Sequence, residues 1–334
     1  MPDKKSKITA NVDFGADGKQ HGYLNIPHSR DDSAWGSIQM PISVIKNGDG
    51  PTVLFTGANH GDEYEGPIAL VNLRASLEAS QINGRVIIIP ALNFPAFRAG
   101  KRTSPLDGGN MNRVFPGRRD GTITEMIAHF VSTEVLPLCD AVIDIHSGGK
   151  TMYLSPCSVI HDLPDADLMA RTLAAMEAFA APIGLVLVEL DAAGMLDTVV
   201  EDMGKVLVST ELGGGGTSTR ETITIAETGV RNILCHFGVL DEAPAPRGGG
   251  TRLMHTPGEA YVPAMESGLY EILAEVGEDV AAGDPIGQIH FIDDADRAPL
   301  VHTAPKAGTV ILRHVPGLIA KGDCMALIGE DYKK

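Results

Sequence analysis

Short apolar runs alternate with helix-length amphipathic stretches through the first two thirds of the chain, and this alternation restricts the fold more than any other feature. Thr52–Thr56, Val86–Ile89, Ala141–Ile145, Gly184–Leu190 and Val206–Thr210 read as strands. Gly66–Ala79, Ile123–Leu136, Asp165–Ala180 and Glu221–Val239 carry apolar side chains at helical spacing. Strands without polar alternation are buried on both faces, as happens when helices cover both sides of a mostly parallel sheet. The pattern predicts an α/β fold. Pro67 suits a first helical turn, and Thr122 or Thr124 could cap the helix that follows it. Upstream, residues 1–45 read as polar extended pieces. Trp35–Ile45, interrupted by Pro41, reads as a strand at a sheet edge, where a missing N–H is tolerated.

The pattern changes at Asp241–Gly250 (DEAPAPRGGG), where prolines give way to glycines. Beyond it, Tyr261–Glu330 holds short β-runs and turns. Gly268–Asp284 and Gly308–Asp323 form a near-repeat, each with a β-run, a turn glycine (Gly277, Gly317) and a closing Gly-Asp pair. Two such halves predict a small pseudo-symmetric β-barrel or sandwich. The expected organisation is a β extension over 1–45, an α/β catalytic domain over 46–240, a linker over 241–255 and an all-β domain over 256–334 that packs on or near the active site.

Composition narrows the partners. With 43% hydrophobic and 21% charged residues the chain can build a core, and a net charge of −16 disfavours nucleic acid and anionic membrane surfaces. No apolar run reaches the ~18 residues of a membrane span, and the N-terminus lacks the apolar stretch of a secretory leader. Cys139, Cys157, Cys235 and Cys324 are scattered without a C-x-x-C pair, so they form neither a metal knuckle nor an evident disulfide framework. The expected location is the cytoplasm. The sequence carries no legible oligomeric signal, and a homodimer is the default for a soluble enzyme.

The chemistry lies at strand ends. The first α/β strand runs into Gly57-Ala58-Asn59-His60-Gly61-Asp62-Glu63, and a later one ends Asp144-Ile145-His146-Ser147-Gly148-Gly149. In an open parallel sheet, sites gather at the carboxyl ends of strands. If the two strands are neighbours, His60, Glu63 and His146 converge. Two imidazoles and a carboxylate form a catalytic zinc set that leaves a position for water. H-x-x-E alone is equally an ordinary turn; the second strand-end histidine gives it chemical meaning. Glu211, just past Val206–Thr210 and followed by four glycines, is either the general base such a site needs or an exposed loop carboxylate. No Lys-Ser or Lys-Thr follows those glycines, which excludes a phosphate-binding P-loop. Ala99–Gly117, with Lys101, Arg102, Asn112 and Arg113, is either a solvated basic loop or a grip for a carboxylate. His21, His28, His129, His161, His236, His255, His290, His302 and His314 have no partner at ligand spacing and read as structural.

Taken together, G-x-N-H-G-D-E, N-R-x-F-P-G, D-I-H-S-G and T-E-L-G resemble the succinylglutamate desuccinylase/aspartoacylase family of zinc amidohydrolases, over roughly residues 45–330. The resemblance implies a zinc-carboxypeptidase-like, mostly parallel mixed sheet flanked by helices, with a C-terminal barrel-sandwich domain of lipoyl-like form. It implies one zinc ion per chain on His60, Glu63 and His146, with Glu211 as general base. It further implies Asn112 and Arg113 as binders of the substrate's α-carboxylate, and an upstream arginine, here Arg102, beside the polarised carbonyl. Within the family, S-A-W-G at 33–36, V-I-K-N-G at 44–48 and T-S-P-x-D-G-G-N-x-N-R-x-F-P-G at 103–117 are most similar to the N-acetyl-L-2,4-diaminobutyrate deacetylases of ectoine breakdown.

The expected reaction is hydrolysis of a small N-acyl amino acid. Glu189, Asp191, Asp197 and Glu201 lie in one segment that either favours a cationic substrate side chain or is a solvated acidic loop. Aspartoacylase or desuccinylase activity, or a metallocarboxypeptidase acting on peptides, are the alternative reactions. A non-catalytic carrier built on the C-terminal domain is the alternative of another class. Gln288–Pro299, where a carrier would present its lysine, contains none.

Overall fold

The apolar runs become interior strands of one large mixed sheet. The computed structural model describes residues 5–187, 193–245 and 250–332. Its elements run β1 (Thr9–Ala10), β2 (Gly18–Pro27), β3 (Ser37–Asn47), β4 (Thr52–Gly57), α1 (Glu65–Ser76), β5 (Gly84–Ile89), α2 (Phe94–Ala99), α3 (Ile123–Phe130), β6 (Ala141–His146), β7 (Met152–Leu154), β8 (Cys157–His161), α4 (Ala166–Phe179), β9 (Ile183–Leu187), α5 (Leu196–Asp202), β10 (Val206–Glu211) and α6 (Arg220–His236). The C-terminal strands are β11 (Arg252–Thr256), β12 (Tyr261–Pro263), β13 (Gly268–Ile272), β14 (Asp279–Val280), β15 (Pro285–His290), β16 (Leu300–Thr303), β17 (Gly308–His314), β18 (Leu318–Ile319) and β19 (Cys324–Asp331). The expected strand over 184–190 runs past Leu187 into residues outside those described.

The middle of the sheet follows the order β3-β5-β4-β6-β10-β8-β9, with β4 parallel to both β5 and β6, and β6 parallel to β10. Every residue of β4 and of β6 is buried. Alternate side chains serve opposite faces. Val53 and Phe55 pack with α1, α4 and α6 through Leu70, Phe179 and Val230. Leu54 packs with Ile127 and Phe130 of α3 on the other side. Burying each such side chain stabilises the fold by ~1.5–3 kcal/mol, which is why these strands carry no polar alternation. Inside α6, a Cβ on Gly229 would lie 2.3 Å from the Phe179 ring, so the close approach of α6 to α4 requires glycine.

Thr122 caps α3, accepting from the Glu125 N–H while the Glu125 side chain accepts from the Thr122 N–H. The helix expected over 123–136 is split: α3 passes into a π-turn at Val131–Val135 and a 3-10 turn at Leu136–Leu138. Pro137, which lacks an N–H, stops regular continuation there.

The edge position expected for Trp35–Ile45 is wrong. β3 lies between β2 and β5. The outer partner β2 (GKQHGYLNIP) hid in the polar N-terminal stretch because its fully buried side chains are few, among them Leu24 and Ile26. Pro41 pairs with Tyr23 on β2, outside the Ser43–Asn47 stretch that β5 reaches, so its missing N–H costs no bond to β5.

The C-terminal strands form two facing sheets. β11, within the segment expected as a linker, pairs in parallel with β9 and antiparallel with β19. β19, β17, β14 and β12 thereby continue the large sheet, and β17 also pairs with β7. The order β16-β15-β13-β18 makes a separate antiparallel sheet. Ile286 of that sheet meets Val310 and Ile328 of the large one in a shared core. The repeat is visible in its turns. Gly283 and Gly322 have φ of 92° and 94°, and the following Asp284 and Asp323 accept from the N–H groups of Ala281 (2.8 Å) and Ala320 (3.0 Å).

Candidate metal centre and active site

Three neighbouring parallel strands deliver the site. β4 ends at Gly57 and leads into the turn bearing His60 and Glu63; β6 ends at His146; β10 ends at Glu211, which pairs in register with His146. Their carboxyl ends open at one edge. The turn lies flat on α2: a Cβ on Gly61 would sit 2.1 Å from the Ala96 carbonyl carbon.

His60, Glu63 and His146 are buried, and one ligand-capable atom from each falls within 4.8 Å of the others. Glu63 lies between the imidazoles, with Oε1 2.7 Å from His60 Nδ1 and Oε2 2.9 Å from His146 Nδ1. The far nitrogens are tied elsewhere: His146 Nε2 to Asp144 Oδ2 (2.8 Å) and His60 Nε2 to Asn110 Oδ1 (3.2 Å). Asp144 also accepts from Thr56 Oγ1 (2.6 Å) and Asn59 Nδ2 (2.7 Å). Burial alone would raise the Glu63 carboxyl, but the two imidazoles outweigh it and hold the group well below the usual carboxylate range. Burial would likewise depress His146, and the carboxylates of Asp144 and Glu63 overcome it and raise the ring well above its usual value. Burial lowers His60. Two imidazoles with pinned outer nitrogens and inner nitrogens directed at one carboxylate make a donor set that fits zinc.

Glu211 is half-buried, and its Oε2 is buried without a hydrogen-bond partner. Burial, reinforced by the Glu63 charge, raises its carboxyl above the usual carboxylate range. Arg102 sits at the mouth, 43% exposed, with Nη1 3.8 Å from Glu63 Oε1. The buried Asn112 uses its carbonyl to accept from Leu196 N–H (3.0 Å) and Asn59 Nδ2 (3.3 Å), which leaves its amide NH₂ as the donor end. Arg113 Nη1 donates to the backbone carbonyl of Asn112 (2.7 Å). A cavity of about 150 Å³ is lined by His60, His146, Arg102, Asn112, Arg113 and Glu211 together, with Glu63 behind the histidines. The seven residues expected as metal ligands, general base and substrate grips come to one place.

Other residues of the wall escaped sequence reasoning. His161, read as structural, ends β8 at the cavity, its Nδ1 2.8 Å from Glu201 Oε2. It follows an apolar strand, the same signal that marked His146. Asp144 lay inside a recognised motif, and its spacing two residues before His146 puts both on one face of β6. Asp197 of the acidic segment lines the cavity, whereas Glu189 and Asp191 lie outside the described residues. No described residue beyond Glu211 lines the cavity. The C-terminal strands instead reach the loop after His146, where Val315 N–H donates to the Thr151 carbonyl (3.0 Å). Among the described residues, no helix is long and apolar enough to cross a membrane.

Comparison with known proteins agrees with this geometry. Residues 49–237 match the catalytic domain of the succinylglutamate desuccinylase/aspartoacylase family. N-alpha-acetyl-L-2,4-diaminobutyric acid deacetylase of Halomonas elongata is 44% identical over 328 residues, covering 98% of this chain and 96% of that protein. The product-bound ectoine utilization protein EutE (DoeB) from Ruegeria pomeroyi superposes with a TM-score of 0.96 at 49% identity, over 98% of this chain and 100% of the other. A succinylglutamate desuccinylase from Silicibacter sp. TM1040 superposes with a TM-score of 0.95 at 48% identity, over the same shares. The chain belongs to the succinylglutamate desuccinylase/aspartoacylase family, a family of hydrolytic enzymes.

Proposed function

We propose that this family member hydrolyses the amide bond of N2-acetyl-L-2,4-diaminobutyrate to acetate and L-2,4-diaminobutyrate, with one zinc ion per chain on His60, Glu63 and His146. The observation that carries the reading is the meeting, in one small cavity, of that ligand set with the unpartnered Glu211 and a wall bearing Arg113 and Asn112. The name of the Halomonas relative supports the substrate. A cavity of about 150 Å³ suits a small acyl amino acid better than a peptide. The free cysteines suit a reducing compartment such as the cytoplasm.

When bound, zinc supplies Lewis acidity toward the acyl carbonyl and toward water. Arg113 and the Asn112 amide hold the α-carboxylate. Arg102 stabilises negative charge developing on the acyl oxygen, an effect worth ~3 kcal/mol in comparable sites. Glu211 takes a proton from the attacking water and returns it to the departing amine nitrogen.

The test is amine release from N2-acetyl-L-2,4-diaminobutyrate, N-acetylaspartate and N2-succinylglutamate, with and without a chelator. Chelator-sensitive turnover of the first alone is expected. Turnover of either other substrate instead would keep the zinc chemistry and overturn the substrate. Inactivity toward all three by zinc-loaded protein would sink the deacetylase reading in favour of a peptidase.

A further inference from the structure

The wall of the cavity carries a second, acidic pole that the hydrolytic mechanism does not use. Asp197, in the first turn of α5, is 6% exposed and lines the same cavity as Arg113 and Glu211. Its Oδ1 is buried with no hydrogen-bond partner. No described side chain forms a salt bridge with it. One turn along α5, Glu201 has Oε2 on His161 Nδ1 while its Oε1 is also buried and unpartnered. A carboxylate kept from water without a donor is unfavourable unless a ligand brings the donor.

We propose that Asp197 receives the side-chain ammonium of the substrate and so selects short cationic N-acyl amino acids over the dicarboxylic ones used elsewhere in the family. The inference rests on the deacylase reading and deepens it by naming the residue that reads the side chain. The cavity is bipolar: Arg113, beside the Asn112 amide, offers positive charge for the α-carboxylate, and Asp197 offers negative charge for the side chain. An aspartyl or glutamyl side chain would set like charge against Asp197 in a confined space. The two poles are mechanically joined, because the Leu196 N–H next to Asp197 donates to Asn112 Oδ1 (3.0 Å). Together with the bond from Phe115 N–H to the Gly194 carbonyl (3.0 Å), it ties the carboxylate-binding loop to the start of α5.

Calorimetric binding to the zinc-loaded protein tests this, using L-2,4-diaminobutyrate and L-2-aminobutyrate, which lacks the side-chain ammonium. Wild type should bind the first about 10- to 100-fold more tightly, the range of a charge-assisted hydrogen bond. Asp197→Asn should abolish that ratio. A wild-type ratio near one, or a ratio that survives in Asp197→Asn, would overturn the proposal. Should the variant not fold, Asp197→Ser carries the same comparison, and a wild-type ratio near one overturns the proposal by itself. Amine release from N2-acetyl-L-2,4-diaminobutyrate, measured in parallel, separates the two ideas. Selective binding without turnover sinks the deacetylase reading and leaves the cation subsite standing; turnover without selectivity does the reverse.

Discussion

Asp144 Oδ2 lies 2.8 Å from His146 Nε2, two residues away on the same face of β6. The contact fixes the imidazole's orientation and tautomer, so that Nδ1 faces Glu63. Thr56 and Asn59 hold Asp144 in turn. Orientation of this kind strengthens a metal ligand without touching the metal.

Asp144→Asn should therefore weaken zinc binding ~10- to 100-fold while the protein stays folded. Competition against a chromophoric chelator measures it, and an unchanged zinc affinity would rule out the orienting role.

Glu211→Gln should retain stoichiometric zinc and lose ~10²- to 10⁴-fold in kcat. Metal content and steady-state rates on the same preparation decide between a proton carrier and a bystander; a near-normal kcat leaves Glu211 the latter.

Arg113→Lys should raise KM with little change in kcat, because an ammonium cannot reproduce the two-pronged grip of guanidinium on a carboxylate. If KM stays put, the α-carboxylate is held by something else.

Gly61→Ala forces a methyl group against the α2 backbone. The turn between His60 and Glu63 must shift, so stability should drop by about 1–3 kcal/mol and zinc occupancy should fall with it. A variant with unaltered melting temperature and metal content would contradict the close packing.

Burial pushes the Asp197 carboxyl up to about 6 from 3.8, with Asp144 adding to the effect. Between those values the folded chain holds more proton than the unfolded chain, so the stability linked to this group is present below the lower value and is lost as pH rises through the upper one. About two pKa units correspond to about 3 kcal/mol. Denaturant unfolding of ligand-free wild type and Asp197→Asn should diverge by that amount, in favour of the variant, between pH 4 and pH 7. A pH-independent difference would refute the linkage.

The candidate site was legible because β4, β6 and β10 are almost wholly buried and so announce themselves as apolar runs, with His146 and Glu211 at the ends of two of them and His60 three residues past the third. What escaped lacks a local signal. β2 alternates and buries few side chains completely, so it reads as one of several polar extended pieces and not as the partner that covers β3. The His161–Glu201 contact joins residues 40 apart, and the β9–β11 ladder joins segments separated by a helix pair and a strand. Register between distant segments leaves no periodicity in either one. Asp197 was visible as an acidic residue among several, and only burial singles it out.

The pairing of β11 with β9 and of β17 with β7 makes the C-terminal strands a double fastening on the site-bearing part of the chain. Severing the chain at the Gly/Pro-rich break would not release a free-standing hydrolase. It would uncover two raw ladders on each piece, prone to sticking to any exposed strand. The same complementarity means that two fragments synthesised together can knit into a single nicked enzyme, whereas either fragment made alone would aggregate.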